Sequence, residues 1–434
     1  MRIAIDPARK PLTGQVRVPS DKSISHRAVL FAALASGTSE IADVLDAADV
    51  RSTVAAVQAL GASVTVSPAE HGLRLTVQGW GASGPAQPAW PVDCGNSGTT
   101  ARLLAGALAG YPVCVTLVGD ESLSRRPMHR VADPLTRMGA RFDLAERGTL
   151  PMTIHGGPLA AAEHELPVAS AQVKSALLLA GLRASGQTVV REPAPSRDHT
   201  ERMLPAFGVD LRRDDPCTVS VTGPQELHAT SLAVPADPSS AAFLAVAACL
   251  IPGCVVVLKD VCLNATRTGF ISTLRRMGAD ITTAAVRVVG GEEVGDLRIT
   301  GGATLAATEV LPPEVPALID EVPVLAVAAT AAHGTTRFRS VGELRVKESD
   351  RFSAIVHGLA SLGARIREEG DDLVVEGPVR LKGGTVSSLG DHRLAMAYAV
   401  AGLVSSDGVE VDGFEAVDVS YPRFLEDLCM LAGC

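Results

Sequence analysis

The stretch Arg276-Met277-Gly278-Ala279-Asp280-Ile281 joins a helix-like segment to a strand-like segment, and it decides the interpretation of the fold because it recurs. Variants of it contain Leu60-Gly61, Met138-Gly139, Phe207-Gly208 and Leu362-Gly363, so that successive glycines are 78, 69, 70 and 85 residues apart. Glycine favours the left-handed conformation that ends a helix, and the alternating residues after it are typical of a half-exposed strand. Such recurrence marks a repeated supersecondary unit, and a period of about 70 residues exceeds that of common solenoids. We therefore predict repeated α/β modules.

Helix-like runs alternate with strand-like stretches, which predicts an α/β protein. Ser, Thr, Asp and Asn are preferred at the first position of a helix, and proline fits the turn that follows. Helix starts are predicted at Ser23–Arg27, Asn96–Thr100, Ser170–Gln172, Asp237–Ser240 and Gly390–Arg393, and strands at Val113–Val118, Thr188–Arg191, Val255–Leu258 and Leu373–Val375. Simple capping is a sufficient explanation for any one of these starts taken singly.

The bulk composition excludes several classes of protein. The chain has 434 residues, of which 47% are hydrophobic and 20% charged, so it should form about two to three domains with large cores. A net charge of -9 and an aromatic content of 3% disfavour nucleic acid and anionic membranes as partners. No signal peptide is visible and the longest apolar run, residues 241–252, is too short to span a bilayer. We expect a soluble cytoplasmic protein.

The cysteines show no spacing typical of a metal site or a redox pair. None of them forms a C-x-x-C motif, and most lie in apolar runs, as Cys249 does. The eight are Cys94, Cys114, Cys217, Cys249, Cys254, Cys262, Cys429 and Cys434. We predict structural thiols, no metal and no cofactor.

Three clusters of cations and hydroxyls in the first half of the chain are candidate anion sites. In Pro19–Arg27, Lys22 and Arg27 bracket serines ahead of the expected helix start, which suits a phosphate although no Walker motif precedes it. In Asn96–Arg102, Gly98 lets a ligand approach the backbone closely. The third cluster, Ser124–Pro127, contains two arginines, of which we expect Arg125 to be solvated.

Charged residues in the second half have two possible interpretations. On a helix Lys347 and Arg351 would share a face, so Leu344–Arg351 would ordinarily be an exposed, salt-bridged helix. Asp391–Arg393 lies at a predicted helix start. Asp320 stands between apolar residues and is either a helix cap or a perturbed acid/base group. Spacing alone does not choose between these two roles.

Taken together and in this order, the motifs resemble the 5-enolpyruvylshikimate-3-phosphate synthase family over the whole chain. The resemblance rests on Ser20–Arg27, Gly95–Thr99, Arg126-Pro127, Ser170–Gln172, Pro195–Thr200, Arg345–Arg351, Asp391–Met396 and Tyr421-Pro422. It implies an inverse α/β barrel fold of two similar domains, each with three βαβαββ units, and an active site in the cleft between them. One domain would comprise residues 1–20 and 237–434, and the inserted domain residues 21–236. Six units are implied, although only five phrases recur.

The reaction that the resemblance implies belongs to aromatic amino acid biosynthesis. The enolpyruvyl group of phosphoenolpyruvate is transferred to the 5-hydroxyl of shikimate 3-phosphate by addition and elimination through a tetrahedral intermediate, with release of phosphate. The implied ligands of shikimate 3-phosphate are Lys22, Ser23, Arg27, Ser170, Gln172, Ser196, Arg197, Asp320 and Lys347. Those of phosphoenolpyruvate are Lys22, Gly98, Arg126, Gln172, Arg351 and Arg393. No metal, membrane or nucleic acid is implied, and we expect a monomer.

The implied catalytic residues are Asp320, Glu348 and Lys22. We expect Asp320 to take the proton of the 5-hydroxyl, while Glu348 and Lys22 act at the methylene carbon and the leaving phosphate. Near the C-terminus, Val419 stands where some members of the family have a phosphoenolpyruvate-binding lysine. Glycine at position 98, where alanine is associated with glyphosate tolerance, predicts a glyphosate-sensitive enzyme.

Two alternatives remain open at the level of sequence. The UDP-N-acetylglucosamine enolpyruvyl transferases share the implied fold, but typically have a reactive cysteine in the loop that corresponds to Gly119–Pro127, which here contains none. A non-catalytic repeat protein that binds anions is the second alternative. Carboxylates such as Asp320 and Glu348 argue against it, because an anion site gains nothing from them.

Overall fold

The computed structural model describes residues 1–433, which divide into two compact units. The terminal unit comprises Met1–Pro19, Pro235–Arg287 and the chain from Glu293 onward. The inserted unit comprises Ser20–Val234 and Val288–Glu292. Cys434, one of the predicted structural thiols, lies outside the described residues. Of the other seven, Cys94, Cys249, Cys254 and Cys262 are buried.

The helices of the described chain alternate with strands, which confirms the predicted α/β class. They are α1 (Lys22–Leu34), α2 (Ala48–Ala59), α3 (Gly98–Ala109), α4 (His129–Arg137), α5 (Ala171–Gly181), α6 (His199–Met203), α7 (Pro238–Leu250), α8 (Gly269–Arg276), α9 (Val322–Ala331), α10 (Arg351–Ser361), α11 (His392–Val404) and α12 (Phe424–Ala432).

The strands are short and numerous. They are β1 (Arg2–Ile5), β2 (Thr13–Val16), β3 (Thr38–Val44), β4 (Ser63–Ala69), β5 (Gly72–Gln78), β6 (Val92–Asp93), β7 (Cys114–Val118), β8 (Arg141–Leu144), β9 (Met152–His155), β10 (Leu159–Ala160), β11 (Glu163–Glu165), β12 (Ala184–Arg191), β13 (Leu211–Asp215), β14 (Thr218–Gly223), β15 (Ser231–Ala233), β16 (Val255–Cys262), β17 (Asp280–Val289), β18 (Glu292–Thr300), β19 (Glu309–Val310), β20 (Gly334–Phe338), β21 (Arg365–Glu369), β22 (Asp372–Gly377), β23 (Gly384–Ser387) and β24 (Val409–Asp412).

These strands form six small sheets, three in each unit, as the resemblance implied. The inserted unit contains β15-β3-β5-β4, β6-β7-β9-β8 and β10-β12-β14-β13, with β11 also paired to β12. The terminal unit contains β17-β18-β16-β2, β19-β20-β22-β21 and β1-β24-β23. Each sheet contains a parallel pair of strands. In four sheets the pair is β6/β7, β10/β12, β19/β20 or β23/β24, and α3, α5, α9 or α11 supplies the crossover between its two strands. The parallel pairs β3/β15 and β2/β16 instead join strands that are far apart in the chain.

The recurring glycine has the same role at all five positions, which confirms the repeat. Gly61, Gly139, Gly208, Gly278 and Gly363 have φ of 98°, 110°, 82°, 98° and 90°. Each follows the last turn of a helix and precedes β4, β8, β13, β17 or β21. Only glycine adopts this left-handed conformation without steric cost. The recurring motif is therefore the connection between the second helix of a unit and the hairpin that ends the unit.

The sixth unit differs from the other five in the origin of its antiparallel strand. Its strands β23 and β24 are parallel, but the strand antiparallel to β24 is β1, from the other end of the chain. Gly433, with φ of 68°, caps α12 where the recurring glycine would stand. The N-terminal strand β1 thus takes the antiparallel position beside β24.

Two groups of apolar helices form the cores. In the terminal unit α7, α9 and α11 pack against one another and are buried along almost their whole length. In the inserted unit α3 packs against α1 and α5 in the same way. Nearly continuous Ala, Leu and Val explain this burial, since a helix that is apolar on all faces is stable only inside a core. The candidate site residues Lys22, Gly98, Gln172 and Arg393 lie in the first turns of four of these helices, α1, α3, α5 and α11.

Candidate active site

Helix α1 begins at Lys22, earlier than the sequence analysis predicted. Asp21 is its N-cap, and Asp21 Oδ1 accepts a hydrogen bond from the amide of Ile24 at 2.8 Å. Ser23 and Arg27 therefore lie inside the helix, and the prediction that they precede it is wrong. A carboxylate satisfies the first-turn amides as well as a serine does, which moves the start upstream.

Lys22 is paired with a carboxylate on the neighbouring helix. Its Nζ lies 2.9 Å from Oδ2 of Asp49, in the first turn of α2, and both side chains are partly exposed. The sequence analysis missed Asp49, because an acidic residue in a first helical turn has an ordinary explanation in the helix dipole.

Arg27 is a buried cation whose close partners are uncharged. Its guanidinium donates to Thr200 Oγ1 at 2.8 Å, to Ser175 Oγ at 2.9 Å and to the carbonyl of Ser23 at 3.0 Å. Burial lowers the pKa of Arg27 to about 10, and the charge of Arg197 contributes to the decrease. The side chain is still cationic at neutral pH.

Ser170 and Ser196 are both held by Glu192. Ser170 is the N-cap of α5, and its amide donates to Glu192 Oε1 at 2.9 Å, while Ser196 Oγ donates to Oε2 at 2.9 Å. The same carboxylate contacts Lys174 Nζ at 2.7 Å, and Lys174 contacts Glu201 at 2.8 Å. This buried cluster was not predicted, because its members are far apart in the chain.

The N-terminus of α3 brings two guanidinium groups to Gly98. A Cβ at this position would lie 3.0 Å from Arg102 Nη1 and 3.5 Å from Arg126 Nη1. Arg126 donates to Asn96 Oδ1 at 2.6 Å and to Ser122 Oγ at 3.2 Å. All of these partners are neutral, so the positive charge remains available to an anion.

Gln172 joins this cluster to α5. It accepts a hydrogen bond from Arg102 Nη1 at 2.7 Å and donates to Thr99 Oγ1 at 3.0 Å. Arg102 also donates to the carbonyl of Pro127 at 3.2 Å. Burial lowers the pKa of Arg102 to about 10, with a further decrease from the charges of Arg126 and Arg130. An anion beside Gly98 would offset the repulsion between these cations.

The terminal unit has the opposite arrangement, a cation surrounded by carboxylates. Arg351 has 0% exposure, and its guanidinium contacts Asp391 Oδ2 at 2.7 Å, Asp320 Oδ1 at 3.1 Å and Glu348 Oε2 at 2.5 Å. Burial alone would lower its pKa, but the charges of Glu348, Asp391 and Asp320 outweigh burial and raise it. Arg351 is a permanent charge that orients three acids.

Asp320 is the point at which the cations of this unit converge. Besides Arg351, it lies 4.0 Å from Lys347 Nζ and 3.7 Å from Arg393 Nη2. It is in a 3₁₀ turn ahead of α9, whose N-cap is Glu321. The N-cap of α9 is thus Glu321, so the interpretation of Asp320 as the cap of this helix is wrong, and its role as an acid/base group stays a prediction.

Arg393 lies in the first turn of α11 and has further contacts with the same turn. Its Nη1 is 3.3 Å from the carbonyl of Asp320 and 3.3 Å from Oε1 of Glu321, and Glu321 Oε1 also accepts a hydrogen bond from Ser239 Oγ. The amide of Arg393 donates to its own N-cap, Asp391, at 2.9 Å. Asp391 thus positions both Arg351 and Arg393.

Two expectations for the segment 344–351 are wrong. Helix α10 begins at Arg351, with Asp350 as its N-cap, so Lys347 and Glu348 precede it and share no helix face with Arg351. Lys347 and Arg351 instead meet at Asp320 through tertiary contacts. Nor is the segment an exposed salt-bridged helix, because Arg351 is buried. Arg125, by contrast, is exposed and pairs with Glu121, which confirms the prediction that it is solvated.

Among residues 1–433 no group of three or more His, Cys, Asp or Glu side chains is arranged to hold a metal ion. No helix in that range is long and apolar enough to cross a membrane.

Comparisons with known proteins agree with the motifs. A family model described as EPSP synthase (3-phosphoshikimate 1-carboxyvinyltransferase) matches residues 7–428. The 3-phosphoshikimate 1-carboxyvinyltransferase of Halorhodospira halophila is 51% identical over 418 residues, which cover 96% of this chain and 93% of that protein. The protein of the same name from Oceanobacillus iheyensis is 45% identical over 427 residues, 98% of each chain.

Solved structures give the same result. The EPSP synthase from Acinetobacter baumannii superposes with a TM-score of 0.90 at 41% identity, covering 99% of this chain and 98% of that one. The enolpyruvyl transferase NikO from Streptomyces tendae has a TM-score of 0.81 at 20% identity, covering 99% and 97%, and so shares the fold. The chain belongs to the EPSP synthase family.

Proposed function

We propose that this chain transfers the enolpyruvyl group of phosphoenolpyruvate to the 5-hydroxyl of shikimate 3-phosphate and releases phosphate. Family membership over almost the whole chain supports this reaction. The two substrates carry two phosphates of about -1.5 to -2 charges each, in addition to two carboxylates. An acidic protein can bind them only where it concentrates cations. The observation that carries the proposal is the pair of guanidinium groups, those of Arg102 and Arg126, beside Gly98 with neutral partners only.

Phosphoenolpyruvate is assigned to the cluster at the start of α3 and to basic residues elsewhere in the family motifs. The proposed ligands are Lys22, Gly98, Arg126, Gln172, Arg351 and Arg393. Gly98 suits this role because a side chain there would occupy the space between two cations. Arg351 can contact a ligand only if one of the three carboxylates paired with it moves away. Glu348, with a side chain that is 36% exposed, is the most accessible of its three partners.

Shikimate 3-phosphate is assigned to a second set, namely Lys22, Ser23, Arg27, Ser170, Gln172, Ser196, Arg197, Asp320 and Lys347. Arg27 and Arg197 supply positive charge, and Ser170 supplies a hydroxyl at the N-terminus of α5, where the helix dipole favours a phosphate. The proposal therefore requires residues of both units to take part in one reaction.

Asp320, Glu348 and Lys22 are the proposed catalytic residues. Asp320 would accept the proton of the 5-hydroxyl, since it is a carboxylate held in place by Arg351 at 3.1 Å. Glu348 and Lys22 would handle protons at the methylene carbon and the leaving phosphate. Proton transfer by a positioned group contributes about 10²- to 10⁴-fold to a rate.

The two alternatives considered from sequence are not favoured. The identities of 45–51% are to proteins named 3-phosphoshikimate 1-carboxyvinyltransferase, and the loop Gly119–Pro127 contains no cysteine. A non-catalytic anion-binding protein does not account for the three carboxylates around Arg351.

Phosphate release from phosphoenolpyruvate tests the proposal directly. We expect release only when shikimate 3-phosphate is present, with product formation matching the phosphate released. UDP-N-acetylglucosamine in place of shikimate 3-phosphate should give none. Release with the nucleotide sugar, or release without any acceptor, would contradict the assignment. We further propose a monomer that acts in the cytoplasm, and light scattering would test the oligomeric state.

A further inference from the structure

Two pairs of side chains join α1 to α2 in the inserted unit. Lys22 and His26 are four residues apart on α1, and Asp49 and Thr53 are four apart on α2, so each pair lies along one helix face. Lys22 Nζ contacts Asp49 Oδ2 at 2.9 Å, and one turn further His26 Nδ1 contacts Thr53 Oγ1 at 2.6 Å. The first contact is partly exposed, whereas His26 and Thr53 are buried. The two contacts therefore lie one helical turn apart and connect the same two helices.

The buried contact between His26 and Thr53 is extended by further hydrogen bonds into α3. Thr53 Oγ1 lies 2.6 Å from Thr100 Oγ1, and the hydroxyl of Thr100 donates to Ser97 Oγ at 2.8 Å. Ser97 is the N-cap of α3 and also accepts the amide of Thr100 at 3.1 Å. The chain of hydrogen bonds therefore ends at the residue immediately before Gly98.

Each hydrogen bond in this series, from His26 to Ser97, has only one possible donor. A hydroxyl donates a single proton. Because Thr100 donates to Ser97, it accepts from Thr53, and Thr53 in turn accepts from His26. His26 must therefore carry a proton on Nδ1, while its Nε2 has no hydrogen-bond partner among the described residues.

A neutral imidazole satisfies this order. Burial lowers the pKa of His26 to about 3, and the charges of Lys22 and Arg27 lower it further, against the opposing effect of Asp49. The ring is consequently uncharged at neutral pH, and its role in the chain is that of a hydrogen-bond donor of fixed direction.

We infer that His26 and Thr53 are positioning residues, which hold the start of α3, and with it Gly98, at a set distance from Lys22. The inference rests on the proposed function, in which Lys22 and Gly98 belong to the phosphoenolpyruvate site. Neither His26 nor Thr53 touches substrate in this scheme. A shift of α3 relative to α1 would move the amides at Gly98 and the guanidinium of Arg102 together, and would thereby weaken the binding of phosphoenolpyruvate at the start of α3.

The first test replaces Thr53 by valine, which has nearly the same shape but no hydroxyl. For Thr53→Val we expect the KM for phosphoenolpyruvate to rise about tenfold, with kcat and the Kd for shikimate 3-phosphate within about threefold of the wild type. Thr53→Ser restores the hydroxyl and should restore KM. Thr136→Val is the matched control in the same unit, because Thr136 donates only to Ala132 O within α4, at 2.9 Å.

The second test changes the donor. The side-chain amide nitrogen of asparagine stands at the same number of bonds from Cα as Nδ1 of histidine, so His26→Asn should keep a KM close to that of the wild type. His26→Leu removes the donor and should behave as Thr53→Val does. If Thr53→Val does not fold, the KM values of His26→Asn and His26→Leu for phosphoenolpyruvate test the inference in its place.

The outcomes separate positioning from mere stability. A loss of kcat at unchanged KM in Thr53→Val or His26→Leu would mean fewer folded molecules, and would overturn the inference. An unchanged KM with unchanged kcat would overturn it as well. Wild-type protein that fails to bind phosphoenolpyruvate in the presence of shikimate 3-phosphate would refute the proposed function itself. Normal binding by the wild type and by both variants would refute only the positioning role.

Discussion

Nη1 of Arg351 lies 3.1 Å from Oδ1 of Asp320, although 31 residues separate the two in the chain. Asp320 has 8% exposure and Arg351 has 0%, so the pair is shielded from solvent. A buried guanidinium of this kind holds a carboxylate in one orientation. A proton acceptor needs a fixed position beside its substrate, and Asp320 and Arg351 are therefore the first targets for mutation.

Replacing Asp320 by alanine should lower kcat by at least about 100-fold, because the proton of the 5-hydroxyl loses its acceptor. Binding of shikimate 3-phosphate should be partly retained, since the other proposed ligands are unchanged. Phosphate release and titration calorimetry measure the two effects separately. Asp418→Ala, an exposed acid of the same unit, is the control. Near-normal turnover of Asp320→Ala would remove Asp320 from the proposed role.

Replacing Arg351 by methionine should destabilise the protein by about 3–5 kcal/mol, because the fully buried Asp391 would lose the guanidinium paired with it and Asp320 would lose one of its cations. Urea unfolding measures the change. Arg367→Met is the control, since Arg367 is half-exposed and its pairs with Glu369 and Glu376 lie on the surface. That variant should lose less than about 1 kcal/mol. Equal losses in both variants would contradict the buried-cluster argument.

Replacing Gly98 by alanine should raise the KM for phosphoenolpyruvate several-fold and weaken inhibition by glyphosate. The new Cβ would lie 3.0 Å from Arg102 Nη1, so that side chain must move by a few tenths of an ångström. Shikimate 3-phosphate should bind almost as before, because of its proposed ligands only Gln172 contacts the displaced Arg102. Gly157→Ala is the control, since a Cβ there meets nothing within 4 Å. An unchanged KM in Gly98→Ala would separate Gly98 from the phosphoenolpyruvate site.

Acidification should lower the free energy of unfolding, because His26 is buried as a neutral side chain. Burial lowers the pKa of His26 to about 3, below the value of about 6.5 in an unfolded chain. Between pH 3 and pH 6.5, His26 is therefore protonated in the unfolded state and neutral in the folded state. The stability that depends on neutral His26 is complete above pH 6.5 and is lost as the pH falls towards 3. From pH 7.0 to 5.5 the loss should be about 1 kcal/mol. His26→Asn should show a smaller loss over this interval in urea unfolding, and an equal loss would count against the assignment.

Local sequence predicted many of the element boundaries correctly. Ser170 and Asp237 are the N-caps of α5 and α7, as expected, because capping involves only the residues of one turn. The five recurring glycines end their helices for the same reason. The start of α10 was missed because Asp350 caps it, and the run of charges before it concealed this residue. The sixth unit, which the resemblance implied, could not be found from the recurring motif, because its antiparallel strand, β1, comes from a distant part of the sequence.

The family motifs contain the types of residue that the site needs, but not the way in which those residues are paired. Arg102, Arg126 and Arg351 look alike in sequence. In the structure the first two have neutral partners and flank Gly98, whereas Arg351 is neutralised by three acids. No spacing rule distinguishes them, because their partners lie 3 to 70 residues away.

The sequence by itself determined the α/β repeat, the helix caps and the family motifs, because periodicity, capping and left-handed glycines depend on neighbours within a turn or two. The tertiary structure alone decided which charges are compensated, that Asp49 pairs with Lys22, and that His26, Thr53, Thr100 and Ser97 form one chain across three helices. These relationships arise only when packing brings distant helices together and burial requires each polar group to find a partner.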